Sequence, residues 1–275
     1  MAVGGGKVID VAKAAAVKLK IPYIIVPTLA SICAAFTPLS VFYTESGTFT
    51  DHEIFDQAAF IVALEPGLVL QTPASYFRVG IGDTLAKWYE AEPVIRQLAE
   101  RPMAVDISYF AAKACHDMLL ELGDEALLAV QEGNKTHAFL KVVDVIVMTS
   151  GMVGGFGEKY GRISGAHSVH NGLTVLEEVH HVLHGDKVAY GILAQLSLLG
   201  EWEEIKRLIP YYQKLALPMT FTDLNVTTSV ATKRVEVARR ATAKSESIHM
   251  LGDVTAERLT DAMEALDVFV GEEIQ

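Results

Sequence analysis

Five of the nine histidines of the chain lie between positions 167 and 184, in the segment GAHSVHNGLTVLEEVHHVLHGDK. His167 and His170 are three residues apart, so on a helix they share one face. His184 directly precedes Gly185 and Asp186, near the predicted start of a further helix. Imidazoles from two successive helices, together with one carboxylate, can hold a divalent ion and leave a position open for water or substrate. A lone histidine would more often be a solvated or hydrogen-bonded side chain, but this cluster favours a metal site.

The carboxylate of such a site has to come from another part of the chain. Asp83, in RVGIGDTLAKWYEA, follows Gly80 and Gly82 and is expected to open a helix. A helix N-cap would explain an aspartate after glycine equally well. Spacing along the sequence does not decide between a metal ligand and a cap.

A second candidate site lies at positions 4–7, where MAV is followed by GGGK. A strand that runs through glycines into a helix can bind an anion, because the backbone can approach a pyrophosphate and the first-turn amides point at it. Lys7 adds a positive charge, and Asp10 is expected in the first turn, where it suits the helix dipole. A plain tight turn would also explain the glycines. The loop PTLAS at 27–31 follows one helix and one strand later, and adjacent strand ends in such sheets form a nucleotide crevice.

Composition restricts the class of protein. The net charge of −11 argues against nucleic acid or an anionic membrane surface as a partner. Two cysteines, Cys33 and Cys115, are too few for a disulfide framework, so a reducing cytoplasm is expected. The first ten residues do not have the pattern of a signal peptide. Prolines break the most apolar window, residues 21–43, and no membrane span is predicted.

The order of the elements predicts an α/β part followed by an all-α part. A helix is predicted from Val8 to Lys20, with strands over 21–28, 38–43 and 58–66. A continuous apolar run such as YIIV suits a strand buried on both faces of a parallel sheet. After Pro73 the sequence predicts helices over 75–100, 103–122, 138–148, 187–215 and 230–244. The predicted domains are residues 1–70 and 71–275.

Several motifs resemble the iron-containing alcohol dehydrogenase family, in particular its glycerol dehydrogenase branch. They are GGGKVIDVAK, VPTLAS, LSVFY, GIGDTLAKWYEA, AHSVHNGLT and HGDKVAYGILAQL. CAAFTPLSVFY, IFDQAAF, MVGGFG and ESIHML resemble its hydroxycarboxylate dehydrogenase members, which reduce 2-oxo acids. The similarity extends from Gly4 to about His249. It implies a dehydroquinate synthase-like fold, in which a Rossmann-like nucleotide-binding part precedes a helical metal-binding part.

The resemblance implies roles for individual residues. Asp83, His167 and His184 match the metal ligands. Lys87 replaces the fourth ligand, a histidine, of the iron-using members, which favours a zinc site with an open position over iron. His170 matches the second histidine of the family's pair and is implied to relay a proton. With Gly5 and Asp10 of the glycine turn, the candidate residues for binding NAD or NADP are Gly6, Lys7, Thr28, Ser31, Thr37, Leu39 and Tyr43.

Two departures from the family pattern bear on the substrate and on the extent of the chain. Cys33 stands where glycerol dehydrogenases carry an aspartate that contacts the polyol; a thiol disfavours glycerol, and an anionic 2-oxo acid would avoid a carboxylate there. Cys33 joins His170 as a candidate catalytic residue, and Arg78 is a candidate partner for the substrate's carboxylate. The family also has a further mononucleotide-like portion before GGGK. A truncated chain is therefore expected.

These observations predict a metal-dependent, NAD(P)-linked oxidoreductase that acts on the CH–OH group of a small polyol or 2-hydroxy acid, or in reverse reduces a 2-oxo acid or ketone. A cytoplasmic homo-oligomer with a small-molecule substrate is expected. One alternative is a catalytically silent, truncated metal-binding or interaction protein. The other is a dehydroquinate-synthase-like lyase, whose site is rich in Lys, Arg and Asn around a phosphate-bearing substrate; the helical part lacks that pattern.

Overall fold

The computed structural model of the chain describes residues 1–45 and 49–274. Its strands are β1 (Ala2–Gly4), β2 (Ile24–Pro27), β3 (Leu39–Tyr43), β4 (Phe49–Ile54) and β5 (Ile61–Val62), with helix α1 (Gly6–Lys18) between β1 and β2. Three of them form a parallel sheet in the order β1-β2-β5. The predicted parallel pairing is therefore confirmed. The central strand, β2, contains the last three residues of the YIIV run. Ile25 is completely buried, but Ile24 and Val26 are half-buried, so the expected burial on both faces is wrong.

The other two strands, β3 and β4, form an antiparallel pair. The sequence predicted β3 but not β4, whose FTDHEI segment carries three titratable residues and lacks an apolar run. Of the strand predicted over 58–66, only Ile61–Val62 forms. Pro66 then begins the next helix, which limits this edge strand to a short pairing with β2.

All described elements after residue 63 are helical. The α-helices are α2 (Pro66–Leu70), α3 (Ala74–Ile95), α4 (Met103–Glu132), α5 (His137–Asp144), α6 (Ser150–Gly161), α7 (Gly165–Leu173), α8 (His184–Leu199), α9 (Trp202–Leu215), α10 (Val230–Ala241) and α11 (Ala256–Glu273). A π-helical turn, Val145–Thr149, joins α5 to α6. The helix predicted over 187–215 is two helices, because Gly200 adopts φ 75° and ends α8. The sequence did not predict α11.

One hydrophobic core joins the strands to the helices. It extends from Ile9 on α1 and Ile25 on β2 to Ile81 on α3 and Leu266 on α11. Helix α3 lies at its centre and packs against α4, α6 and α8. The change from strands to helices falls where the sequence places it, and the division into domains at residue 70 stays a prediction.

One stretch, His137–Gly161, is long and apolar enough to cross a membrane by length and composition, with a mean hydropathy of 1.6 over its most apolar window. Half of that window is buried inside the protein, where α6 packs against α4 and α3. The buried half of this segment therefore packs as part of the protein core.

Candidate active site

Asp83 lies in the middle of α3, which begins at Ala74. The expectation that Asp83 opens a helix is wrong. Asp83 is therefore not an N-cap residue, and the N-cap explanation is excluded. The two glycines before it serve close packing instead. A Cβ on Gly80 would lie 2.2 Å from the carbonyl oxygen of Ala30, and a Cβ on Gly82 would lie 3.0 Å from that of Gly185. Gly80 and Asp83 are three residues apart, so they lie on the same face of α3. The contact at Gly80 therefore brings the loop after β2, which contains Ala30, to the face of α3 that carries Asp83.

The histidines come from α7 and α8. His167 and His170 are both on α7, as predicted, and His184 is the first residue of α8. A Cβ on Gly185 would lie only 1.9 Å from the carbonyl oxygen of Val79 on α3. The glycine therefore lets the start of α8 lie directly against α3, which brings His184 to the aspartate.

Three side chains converge at this contact. Oδ1 of Asp83 lies 3.0 Å from Nε2 of His184 and 3.4 Å from Nε2 of His167. One ligand atom from each of the three lies within 4.8 Å of the others. Ligands about 2.1 Å from a tetrahedral ion are about 3.4 Å apart, so this donor set fits a zinc-sized ion.

A buried carboxylate, Glu90, holds the far side of the His167 ring. Its Oε2 lies 2.6 Å from Nδ1 of His167, and its Oε1 accepts hydrogen bonds from the backbone amides of Ser164 and His167 at 2.7 and 2.9 Å. A ring that donates Nδ1–H to a carboxylate presents the Nε2 lone pair to an ion. Motif comparison alone did not single out Glu90, although it lies on α3 two turns after Asp83.

The far side of the His184 ring is held by a neutral chain of hydrogen bonds. Its Nδ1 lies 2.9 Å from Nε2 of His170, and Nδ1 of His170 lies 3.1 Å from Oδ1 of Asn171. The amide of Asn171 donates to Glu246, which is paired with Arg240. If Nε2 of His184 faces an ion, every bond in this chain can donate toward Glu246. His170 thus orients His184 and lies outside the cluster of three ligands.

Mutual electrostatics decide the charges in the site. Burial raises the pKa of Asp83, but Lys87, His167 and His184 outweigh it and hold that pKa well below its usual range. Burial lowers the pKa of His167, yet the carboxylates of Glu90 and Asp83 raise it to about 9. Burial and the neighbouring His184 hold the pKa of His170 well below normal, so His170 is neutral. In the ion-free protein Asp83 is therefore an anion that an incoming cation can use.

Lys87 lies one helical turn after Asp83 on α3 and is only 6% exposed. Within residues 1–45 and 49–274 its ammonium has no hydrogen bond and no ion pair shorter than 4 Å. Burial alone would lower the pKa of Lys87, but Asp83, Cys33 and Glu90 raise it, so the side chain stays charged.

The glycine turn begins α1 as the sequence predicts. Gly5 is the N-cap residue and offers no side-chain hydrogen bond, so the first-turn amides are left without a side-chain cap. The amide of Thr28 donates to the carbonyl of Gly4 at 3.1 Å, which brings the ends of β1 and β2 together. A Cβ on Gly5 or on Gly6 would lie 2.8 or 2.5 Å from the terminal side-chain carbons of residues 29 and 32, so a larger residue here would require those two side chains to shift. An uncapped helix start with an exposed Lys7 is suited to a pyrophosphate.

Asp10 is not in the first turn of α1, so the predicted interaction with the helix dipole is wrong. The helix begins at Gly6, which makes Asp10 its fifth residue. Its carboxylate lies 3.0 Å from the ammonium of the fully buried Lys13. Lys13 donates to the backbone carbonyls of Ala34 and Thr37 at 2.8 and 3.2 Å, and also to that of Leu39. Asp10 and Lys13 therefore fix the loop that follows β2.

The remaining cofactor candidates lie along this loop. The Cα of Ser31 would be 2.9 Å from a Cβ on Gly80, so the loop lies between the glycine turn and α3. Cys33 is half-buried, and its carbonyl accepts a hydrogen bond from the Thr37 hydroxyl. Leu39 begins β3; Tyr43 ends it and is described by its backbone alone.

Arg78 does not offer a free guanidinium to a substrate. It donates to Oδ2 of Asp186 at 2.7 Å and to the carbonyl of Ala216 at 2.6 Å, and so ties α3 to α8. His180 and His181 also lie outside the cluster of three ligands: His180 contacts the carbonyl of Thr174, and the exposed His181 contacts Asn225.

Comparison with known proteins places the chain in a family. Residues 1–63 match the family model described as iron-containing alcohol dehydrogenase. Over 268 residues the chain is 43% identical to hydroxycarboxylate dehydrogenase A of Escherichia coli (strain K12), an alignment that covers 97% of this chain and 74% of that protein. The chain belongs to the iron-containing alcohol dehydrogenase family. The chain is also 37% identical to the glycerol dehydrogenase of Pseudomonas putida, and the alignment covers 96% of this chain and 73% of that protein.

A solved structure supports the fold assignment. The crystal structure of a probable glycerol dehydrogenase from Sinorhizobium meliloti 1021 superimposes with a TM-score of 0.91 and 33% identity, covering 98% of this chain and 77% of that one. The fold is therefore glycerol dehydrogenase-like, as the sequence predicted: a partial Rossmann-like part followed by a helical part. As a family member with dehydrogenase relatives, the chain is an oxidoreductase.

Proposed function

We propose that this chain is a metal-dependent, NAD(P)-linked oxidoreductase that interconverts a small 2-hydroxy acid and the corresponding 2-oxo acid. A polyol and its ketone are the second candidate substrate pair. The convergence of Asp83, His167 and His184 to within 4.8 Å carries the proposal. Two nitrogens and one oxygen leave a position open for substrate, which favours zinc, with iron as the alternative.

A divalent ion at this centre would act as a Lewis acid on the reacting oxygen, and the nicotinamide would carry the hydride. The protein side chains do the rest. Glu90 holds His167 with Nε2 toward the centre, and His170 does the same for His184. The relay of the alcohol's proton by His170 stays a prediction, because Nε2 of His170 accepts from His184 and its Nδ1 donates to Asn171, an arrangement that positions His184. Cys33, in the loop after β2, is assigned a contact with the substrate.

The cofactor is assigned to the crevice between the glycine turn and the loop after β2. Gly5, Gly6 and Lys7 would receive the pyrophosphate at the uncapped start of α1. The residues assigned to the nicotinamide side are Thr28, Ser31, Thr37, Leu39 and Tyr43. Asp10 would act indirectly, through Lys13, by fixing the loop.

The preference for an acid over a polyol rests on two observations. The family resemblance implies that Cys33 stands where glycerol dehydrogenases carry an aspartate, which would repel an anion. The relative with 43% identity is named a hydroxycarboxylate dehydrogenase. Two free cysteines and a net charge of −11 suit a cytoplasmic enzyme that acts on small molecules. A homo-oligomer stays a prediction, which sedimentation of the purified chain would test.

A His184→Ala variant tests the proposal. It removes one of three ligands, so we expect the purified variant to lose both its bound metal, measured by elemental analysis, and its turnover with NAD(H) or NADP(H). His181→Ala is the matched control, because His181 is an exposed neighbour outside the cluster. Full metal content and turnover in the His184 variant would contradict the proposal. Absence of any nicotinamide binding to the unaltered chain would favour the silent protein instead.

A further inference from the structure

Lys87 is a buried cation whose position the metal site alone does not explain. It lies four residues after Asp83 and three before Glu90 on α3, so all three share one face of the helix. Side chains at this spacing have Cβ atoms about 6 Å apart, which puts a long lysine within reach of the same small volume. Yet no group in the described part of the chain comes within hydrogen-bond distance of its ammonium. The carboxylates of Asp83 and Glu90 attract this ammonium without bonding it directly, so an anion that bonds it would add the contact it lacks.

The charges of the site indicate the sign of that missing partner. On this face of α3 a divalent ion would meet the carboxylates of Asp83 and Glu90 and the ammonium of Lys87, which together carry two negative charges and one positive charge. With neutral imidazoles, a divalent ion leaves the site with one positive charge in excess. A monoanionic substrate would cancel that excess, whereas a neutral polyol would leave it buried.

Other cations on the elements that form the site have partners. Lys187 of α8, whose charge acts on His170 and His184, donates to the carbonyl of Val179 at 3.5 Å. Arg78 is paired with Asp186, and Lys13 donates to three backbone carbonyls and faces Asp10. Lys87 is therefore the better candidate for the carboxylate partner that the sequence had assigned to Arg78.

We propose that Lys87 binds the carboxylate of a 2-hydroxy or 2-oxo acid whose reacting oxygen lies at the Asp83–His167–His184 centre, and so selects acids over neutral polyols and ketones. The inference rests on the proposed function, since it needs that centre to hold the metal. Cys33 fits the same substrate: it belongs to the loop that packs against α3 at Gly80, and its neutral thiol does not repel a carboxylate as an aspartate would.

Two probes isolate the carboxylate. Pyruvate and hydroxyacetone share a methyl ketone and differ only in bearing a carboxylate or a hydroxymethyl group beside the carbonyl. In Lys87→Met we expect kcat/KM for pyruvate reduction to fall about 100-fold or more, because one partner of a buried charge pair is lost. The value for hydroxyacetone should change by less than about 5-fold. Lys87→Gln, which keeps a polar end and loses the charge, should shift the ratio in the same direction.

Binding measurements separate this inference from the metal site itself. Cobalt(II) affinity, read from its visible absorption, should not fall in Lys87→Met, because the variant removes a positive charge beside Asp83. Calorimetry with oxamate, an unreactive 2-oxo acid analogue, should show at least about a 100-fold weaker dissociation constant for the cobalt-loaded variant. Lys113→Met, an exposed lysine of α4 paired with Asp117, is the control and should leave both values unchanged.

The outcomes separate the two proposals. An unchanged ratio of pyruvate to hydroxyacetone activity, or equal oxamate binding, in a variant that still binds cobalt would overturn the role of Lys87 and leave the metal site standing. Failure of the unaltered chain to bind cobalt would overturn both proposals.

Discussion

At the scale of single residues, the site depends on atoms that do not face its centre. Glu90 uses both oxygens: one receives two backbone amides and the other faces Nδ1 of His167. A glutamine would present an amide NH₂ to one of these donors, so either the ring or the backbone would lose its acceptor. The carboxylate therefore fixes both the tautomer and the position of the ligand.

The Glu90→Gln substitution should lower metal affinity about 10- to 100-fold, the usual cost of removing a carboxylate behind a ligating imidazole. Competition between the protein and a chelator for zinc measures this. Glu92→Gln is the matched control, since Glu92 lies on the same helix, paired with Arg96 near the surface. Equal affinity in the Glu90 and Glu92 variants would show that Glu90 only satisfies backbone amides.

The candidate ligands could be proposed from the sequence, because His167 and His184 stand in a dense cluster of histidines and Asp83 lies within a motif. The roles of Lys87 and Arg78 could not. Arg78 pairs with Asp186, 108 residues away, whereas Lys87 has no such pairing among the residues that the structure describes. Both facts depend on tertiary contacts that local spacing does not contain.

At the scale of elements, glycines set how closely α3, α8 and the loop that follows β2 approach one another. Gly80 meets the loop at Ala30, and Gly185 meets α3 at Val79. The sequence suggested that glycines before Asp83 mark the start of a helix. In the structure they lie within α3, because the gain from burying this face of the helix outweighs the weak helix propensity of glycine.

Gly185→Ala should separate α3 from α8, because its new Cβ would lie 1.9 Å from a backbone oxygen that cannot rotate away. We expect a lower melting temperature and weaker zinc binding, measured by calorimetry and chelator competition. Gly155→Ala on α6 is the control: a Cβ there meets nothing within 4 Å, and alanine should stabilise that helix by about 0.5–1 kcal/mol. A Gly185 variant as stable and as tightly metal-binding as the parent would contradict this account of the helix contact.

Periodicity predicted most of the elements, and the exceptions have physical causes. Strand β4 is polar in sequence and forms through its antiparallel pairing with β3. The predicted helix over 187–215 divides at Gly200, where a left-handed residue ends α8. The strand over 58–66 shortens to Ile61–Val62, because Pro66 begins α2.

At the scale of the whole molecule, a single core spans the strands and the helices, so the cofactor loop and the candidate metal ligands belong to one packed unit. The loop after β2 contacts the glycine turn on one side and α3 on the other. A hydride donor in that crevice and a substrate at the metal would thus share the space beside Asp83. The family fold could be predicted because the motifs occur in the expected order along the sequence. That the loop after β2 lies beside Asp83 could be recognised only from the contacts at Gly80.

The most direct test of the central claim is an anomalous-scattering map from zinc-soaked crystals of the chain. The account predicts one strong peak about 2.0–2.2 Å from a carboxylate oxygen of Asp83 and from Nε2 of both His167 and His184. A fully occupied zinc bound elsewhere, with Asp83 beyond coordinating distance of the two imidazoles, would contradict it.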